Sequence, residues 1–155
     1  MTETVKDVYS FLVPMLDDSL LLPNTVIAEI VPFMNVSLDD DIENNDHWKV
    51  GTVIWRNQTI PVVAIERLQG KKDLGDIKRS RIAICYTLNG NEEVPFVALM
   101  VRGIPRLVPV EEENSEFIAD EIQGQDDGVK AWVKVDGKKA LIPDLDFIET
   151  KLASA

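Results

Sequence analysis

The chain has 155 residues, of which 45% are hydrophobic and 28% are charged, and its formal net charge is −11. This length suits a single domain, and the apolar fraction is sufficient for a packed core. The negative charge argues against nucleic acid or an anionic membrane as a partner, because both are bound mainly through Lys and Arg. The N-terminus lacks the order of charges of a signal peptide, and no apolar run is long enough to span a bilayer. We therefore expect a cytoplasmic protein with no membrane insertion.

The first part of the chain predicts short strands. Residues 9–16 are rich in strand-forming side chains and end at an Asp-Asp turn signal. Residues 25–31 contain frequent β-branched side chains, and Pro32 ends that run because proline cannot donate to a strand ladder. Residues 37–47 contain five Asp or Glu residues and no Lys or Arg, which predicts a solvated loop.

The most strongly patterned region is 48–65, where two apolar runs flank Arg56-Asn57-Gln58. This pattern predicts a β-hairpin, because Asn tolerates left-handed backbone geometry. The next segment, 66–78, contains two glycines and many of the bases. It predicts a mobile, solvated connection. The alternative is a basic docking patch that extends beyond this segment and consists of Arg67, Lys71, Lys72, Lys78, Arg79 and Arg81.

Two further strands are predicted at 81–88 and 94–101, paired across the turn sequence Asn-Gly-Asn at 89–91. The near-continuous apolar character of 94–101 indicates a strand that is buried on both faces. The acidic segment 111–127 shows only a weak helical pattern. We expect strands on either side of Asp136-Gly137, followed by a short terminal helix.

Many short strands with little helix are typical of an all-β barrel or sandwich. No linker, repeat or low-complexity tract divides the sequence, so residues 1–155 are predicted to form one domain, with 1–8 as a flexible N-terminal arm. Asp144 is the predicted N-cap of the terminal helix.

No arrangement of side chains predicts catalysis. His47 is the one histidine and falls in the acidic loop, whereas a catalytic site needs a base, a nucleophile and an orienting group together. Cys85 is predicted to be a buried, unreactive side chain within a strand. The run that starts at Asp39 lacks the glycine and glutamate of a calcium-binding loop. We expect no enzyme activity, no cofactor and no metal. Trp132 is predicted to lie in the core, whereas core and interface positions are equally open for Trp55.

Four segments, in order, resemble the CheW-like chemotaxis adaptors. Residues 51–63 resemble the family's Gly-x-x-x-Leu-Arg-Gly segment and the Pro-aliphatic pair that follows it. Residues 27–30 resemble its Val-x-Glu-Ile strand end, and 101–107 its Val-Asp-Gly element. Residues 135–145 resemble its closing hairpin. Together the matches cover residues 9–152.

This resemblance implies two interlocked five-stranded SH3-like barrels with a short C-terminal helix. It also implies a non-enzymatic adaptor that couples the tip of a methyl-accepting chemoreceptor to the regulatory domain of a CheA-type histidine kinase. The residues that it implies for the kinase interface are Trp55, Arg56 and Asn57. Those that it implies for the receptor interface are Ile27, Glu29 and Ile30.

The sequence departs from the family pattern at several positions. In this sequence, Trp55 replaces the leucine of the family's Leu-Arg-Gly and Asn57 replaces its glycine. Ile54 stands where the family has Asn. Two family aspartates are replaced by Ala64 and Arg102. We interpret these changes as surface substitutions of a divergent member, and predict an accessory CheW-like protein of a type IV pilus (twitching motility) system. The alternative is a β-barrel module that senses a small ligand or a peptide.

Overall fold

The computed structural model describes residues 8–87, 92–111, 115–117 and 128–153. The strands in these residues are β1 Val8–Pro14, β2 Ser19–Pro23, β3 Ile27–Pro32, β4 Val36–Leu38, β5 Lys49–Trp55, β6 Gln58–Val63, β7 Arg81–Tyr86, β8 Phe96–Val101, β9 Arg106–Val110, β10 Ser115–Phe117, β11 Val129–Val135 and β12 Lys138–Pro143. The α-helices are α1 Ile65–Leu68 and α2 Leu145–Ala153, and short 3₁₀ turns form at Phe33–Asn35 and Ile77–Arg79.

The strands form two six-stranded sheets. The first sheet has the order β10-β11-β12-β2-β1-β9, and the second has the order β3-β7-β8-β6-β5-β4. The chain starts in the first sheet, builds the second with β3 to β8 and then returns to the first, so the two sheets are interlocked along the sequence. Each sheet has five longer strands and one three-residue edge strand, which is β10 or β4. The predicted all-β fold with a short C-terminal helix is confirmed.

Both sheets contain the same arrangement of a parallel pair beside a tight hairpin. The parallel pairs are β12–β2 and β6–β8, and the hairpins are β11–β12 and β5–β6. Both hairpin turns have positive φ at their two central residues, 50° and 64° at Arg56 and Asn57 and 52° and 81° at Asp136 and Gly137. Such turns match the twist of the paired strands. The two predicted hairpins are confirmed, and the predicted turn residue Gln58 is instead the first residue of β6.

The core is shared between the sheets. One cluster combines side chains of both, such as Val13 and Leu141 from the first sheet and Ala83 and Leu99 from the second. Strand β8 lies within the second sheet, and its residues from Val97 to Val101 are all buried. Alternate residues of β8 face the shared core and the second sheet's own core, which confirms the prediction of a strand buried on both faces.

Helix α2 closes one side of the shared core. Leu145 and Ile148 are buried there, and the backbone N–H of Phe147 donates to Oδ1 of Asp144 at 3.1 Å. That bond satisfies one of the free N–H groups at the helix start, as predicted for an N-cap. Trp132 is 4% exposed in the same cluster, which confirms its predicted core position.

A buried arginine joins the two segments that were predicted to be solvated. Arg67, on α1, is only 8% exposed and its guanidinium joins the acidic loop to the segment that follows the helix. Its acceptors are the carbonyl oxygens of Ile42 (2.8 Å), His47 (3.0 Å) and Lys72 (3.0 Å), and Asn45 Oδ1 (3.3 Å). The pKa of Arg67 is lowered from its usual value, because the effect of burial is larger than the opposing effect of the nearby Asp46. Most residues of 37–47 are exposed, as predicted for a solvated loop, whereas 66–78 begins with the buried Glu66 and Arg67 of α1. The predicted mobility of 66–78 stays a prediction, and Arg67 is not available for docking.

Some predictions fall at the limits of the described residues. Val8 begins β1, whereas residues 1–7 of the predicted arm lie outside them. The 89–91 turn also lies outside them, although β7 and β8 are antiparallel and Tyr86 is opposite Phe96, as the paired-strand prediction requires. In the part of the chain that the structure describes, no helix has the length and apolar character needed to cross a membrane.

Candidate protein-docking site

Trp55 ties the end of strand β5 to strand β3 across the second sheet. Its indole is only 7% exposed, and Nε1 donates a hydrogen bond of 2.8 Å to Oε1 of Glu29. Three strands separate β3 from β5 in the sheet order, so this contact bridges a curled sheet rather than neighbouring strands. A buried Trp normally finds a partner for its one N–H group, and Glu29 supplies it. Trp55 is therefore a core residue whose polar edge reaches the surface.

Arg56 lies directly on the ring of Trp55. It is exposed at the first turn position of the β5–β6 hairpin, and its guanidinium carbon is 4.3 Å from the Trp55 ring centroid. This stacking restrains a long side chain that remains exposed to solvent. Asn57 follows with a φ of 64°, which Asn adopts more readily than most residues.

Two aromatic residues that the sequence analysis did not single out continue this surface. The ring of Phe96 is 5.0 Å from that of Trp55 in an edge-to-face arrangement, and the ring of Tyr86 is 5.4 Å from that of Phe96. Tyr86 is 46% exposed. We name Tyr86, Phe96 and Trp55 the aromatic row. Its sequence signal is the presence of an aromatic residue at each end of the predicted β7–β8 turn.

The three predicted receptor-interface residues are divided between two faces of β3. The strand has an irregularity between Ile27 and Glu29, so that Ile27 is opposite Cys85 and Glu29 is opposite Ile84. Ile27 and Ile30 are half-buried and pack against the shared core. Glu29 is exposed and bonded to Trp55. The structure therefore joins Glu29 to the predicted kinase-interface residues and separates it from Ile27 and Ile30.

Two departures from the family pattern are not surface substitutions. Ala64 is fully buried, and its N–H donates to the carbonyl oxygen of Trp48 at 2.8 Å. Arg102 is half-buried, and its guanidinium donates to the carbonyl oxygens of Leu74 and Asp76. Both residues serve contacts within this chain, which corrects their interpretation as surface changes.

The described residues of this region combine exposed charged and aromatic side chains. No group of three His, Cys, Asp or Glu side chains among them is placed to hold a metal ion. Cys85 is fully buried, and burial raises the pKa of its thiol to about 12. The exposed features are the guanidinium of Arg56, the carboxylate of Glu29 and the ring of Tyr86. Aromatic and Arg side chains of this kind are enriched at protein interfaces.

Comparison with known proteins assigns the chain to a family. The crystal structure of the scaffolding protein CheW from Thermoanaerobacter tengcongensis matches with a TM-score of 0.69 and 19% sequence identity, covering 94% of this chain and 89% of that one. At this identity the match shows a shared fold. None of the curated proteins compared with the chain matches it. The model of the CheW-like domain matches residues 10–151, and the chain therefore belongs to the CheW-like domain family.

Proposed function

We propose that this protein is a non-enzymatic adaptor that couples a chemoreceptor to a CheA-type histidine kinase. The CheW-like fold supports a chemotaxis adaptor role. The observation that carries the finer proposal is the contact of Arg56, Trp55 and Glu29 at the tip of the β5–β6 hairpin. We name these three residues together with Asn57 the hairpin site and assign it to the regulatory domain of the kinase.

The hairpin site has the physical properties of a hot spot. Binding orders long side chains at a cost of about 0.5–1.5 kcal/mol each, and the stacked position of Arg56 removes part of that cost in advance. A planar guanidinium can bind a partner carboxylate through two parallel hydrogen bonds. Trp55 is fixed by Glu29 and Phe96, so the surface beneath Arg56 is rigid. Rigid aromatic side chains and Arg dominate measured binding energies at interfaces.

Glu29 belongs to this kinase surface in our proposal, because it is bonded to Trp55. Ile27 and Ile30 remain the candidates for the receptor contact, since both are half-buried and lie on the other face of β3. Two partners could then bind on opposite faces of one edge strand. The proposal includes a cytoplasmic location, where the receptor tip and the kinase would be found.

The predicted pilus system receives no support from two of the departures that suggested it. Ala64 is buried, and Arg102 bonds the segment beneath it. The more informative departures are Trp55 and the 65% exposed Ile54, which lie at the hairpin itself. A twitching-motility role stays a prediction, and we expect these two residues to distinguish its kinase from others.

Charge reversal at Arg56 tests the proposal. Arg56→Glu should weaken binding of the kinase regulatory domain at least about tenfold, because it places a carboxylate where a partner carboxylate would dock. The thermal midpoint should fall by no more than about 4 °C, since the variant loses the stacking of Arg56 on Trp55, worth about 0.5–1 kcal/mol, and each kcal/mol shifts the midpoint by about 2–4 °C in a domain of this size. Lys130→Glu is the matched control, because Lys130 is exposed on β11 in the first sheet. Equal binding by a folded Arg56→Glu variant and the control would refute the assignment.

A further inference from the structure

A second candidate surface lies at the other end of strand β7. A cleft of about 490 Å³ opens there between the 3₁₀ turn Phe33–Asn35 and the start of β7. We name it the basic cleft. The residues that line it include Phe33, Met34, Lys78, Arg79, Ser80 and Arg81. Arg81 and Tyr86 are the two ends of β7, so the cleft is about 17 Å from the aromatic row at the usual rise per residue of a strand.

The cleft concentrates positive charge in an acidic protein. Lys78, Arg79 and Arg81 are all exposed, and none of the lining residues is acidic, although the chain carries a net charge of −11. None of these three cations forms an ion pair with another described residue. Lys49 and Lys71, by contrast, each lie within 4 Å of a carboxylate of this chain. The cations of the cleft are thus available to an external anion.

The floor and rim of the cleft add apolar and polar contacts. Met34 is 82% exposed, more than any other large hydrophobic residue in the described part of the chain, and Phe33 beside it is half-buried. A flexible, polarizable Met is well suited to contact with a variable apolar partner. Ser80 is 4% exposed, and its Oγ has no hydrogen-bond partner in the described structure.

We propose that the basic cleft binds an acidic peptide segment of a partner protein. Carboxylates of the segment pair with Arg79, Arg81 and Lys78, and an apolar side chain of the segment packs on Met34 and Phe33. The charge complementarity identifies an anionic partner, and the exposed Met identifies one that also carries apolar groups. A bare polyanion would use the cations but would gain nothing from Met34. The long-range repulsion from a net charge of −11 grows with the charge of the partner, so it disfavours nucleic acid and anionic membranes more than a short acidic segment.

This inference does not depend on the adaptor proposal, because the two surfaces share no residue. A variant at the hairpin site should leave binding at the cleft unchanged. Arg56→Glu therefore serves as a control that distinguishes failure of one proposal from failure of the other.

The probe is a short synthetic peptide in which glutamates flank a leucine–phenylalanine pair, measured by isothermal titration against the full chain. The double substitution Arg79→Glu/Arg81→Glu should raise its Kd by at least about tenfold, whereas Lys134→Glu, on the exposed face of β11, should not change it. Met34→Ala should weaken binding of the peptide and leave the salt dependence of its Kd unchanged, because salt screens only the charged contacts. In NMR spectra, amide shifts should be confined to 32–36 and 76–82.

Several results would overturn the proposal. One is equal binding of a peptide that has lysines in place of the glutamates, and another is equal binding by the wild type and the double variant. Tighter binding of an RNA oligonucleotide or of phosphatidylserine vesicles than of the acidic peptide would assign the cleft to a different class of partner. Absence of peptide binding by a folded wild-type chain would also refute it.

Discussion

Replacing Trp55 with leucine, the residue of the CheW-like pattern at this position, should destabilise the second sheet by an amount that can be worked out from three contacts. The indole hydrogen bond to Glu29 contributes about 0.5–1.5 kcal/mol, since the exposed carboxylate can return to water. The edge-to-face contact with Phe96 contributes about 0.5–1.5 kcal/mol. The exposed guanidinium of Arg56 over the ring contributes about 0.5–1 kcal/mol.

Together these contacts give an expected loss of about 1.5–4 kcal/mol in the free energy of unfolding for Trp55→Leu. That is below the stability of a typical domain, about 5–15 kcal/mol, so the variant should fold. Equilibrium unfolding in urea measures this loss as a lower midpoint. The slope of the free energy of unfolding against urea concentration should stay the same, because wild type and variant expose the same surface on unfolding. A changed slope would mean that the variant alters one of the end states as well.

The hydrogen bond can be separated from the other two contacts by a double-mutant cycle. Trp55→Phe keeps an aromatic ring but removes the N–H donor, and Glu29→Ala removes the acceptor. The coupling energy between the two substitutions should be about 0.5–1.5 kcal/mol. A coupling energy indistinguishable from zero would refute the conclusion that Glu29 and Trp55 act together, and with it the assignment of Glu29 to the hairpin site.

Three further substitutions or treatments test the packing. Arg67→Met should cost more than about 2 kcal/mol, because buried carbonyl acceptors lose their donor, and hydrogen exchange should accelerate at 39–47; unchanged exchange there would contradict the structure. Cys85 should resist iodoacetamide until the chain unfolds. Because burial raises the pKa of Cys85 from 9.0 to about 12, the free energy of unfolding should fall as the pH rises from 9 towards 12, which urea titrations across that range would show. Gly51→Ala should lower the free energy of unfolding by about 1–3 kcal/mol, since a Cβ would overlap the carbonyl oxygen of Ser37 on β4. At Gly137 a Cβ would meet no atom, so Gly137→Ala should lose only the favourable turn geometry of glycine. Calorimetry should therefore show a larger loss of stability for Gly51→Ala than for Gly137→Ala.

Features encoded by neighbouring residues were predictable from the sequence. The two tight hairpins follow from Asn57 and Gly137 between strand-forming runs, and the start of α2 follows from Asp144. The double-sided burial of β8 follows from its continuous apolar character. The core position of Trp132 was predicted from its large apolar ring, although the exposed Lys130 and Lys134 lie on either side of it at alternate positions of β11. In each case the interacting residues are close along the chain, or hydrophobicity alone determines the outcome.

Features that depend on contacts distant in sequence were not predictable in the same way. One of the backbone carbonyl groups that accept a hydrogen bond from Arg67 belongs to Ile42, 25 residues away along the chain. Glu29, which accepts from Trp55, is 26 residues from it. The sequence also does not reveal that Arg67 joins the acidic loop to the segment after α1. The division of Ile27 from Glu29 results from a strand irregularity at Ala28, which no residue type announces. The short edge strand β4 is also too brief to give a periodic pattern.

The most direct test of the adaptor account is reconstitution of the purified chain with a kinase regulatory domain and a chemoreceptor tip. Sedimentation velocity should show a binary complex with each partner and a ternary complex with both. Arg56→Glu should remove the kinase from the ternary complex and retain the receptor, since the two are proposed to bind different faces of β3. A folded chain that binds neither partner, but whose thermal midpoint rises with a small metabolite, would contradict the account and support a ligand-sensing module instead.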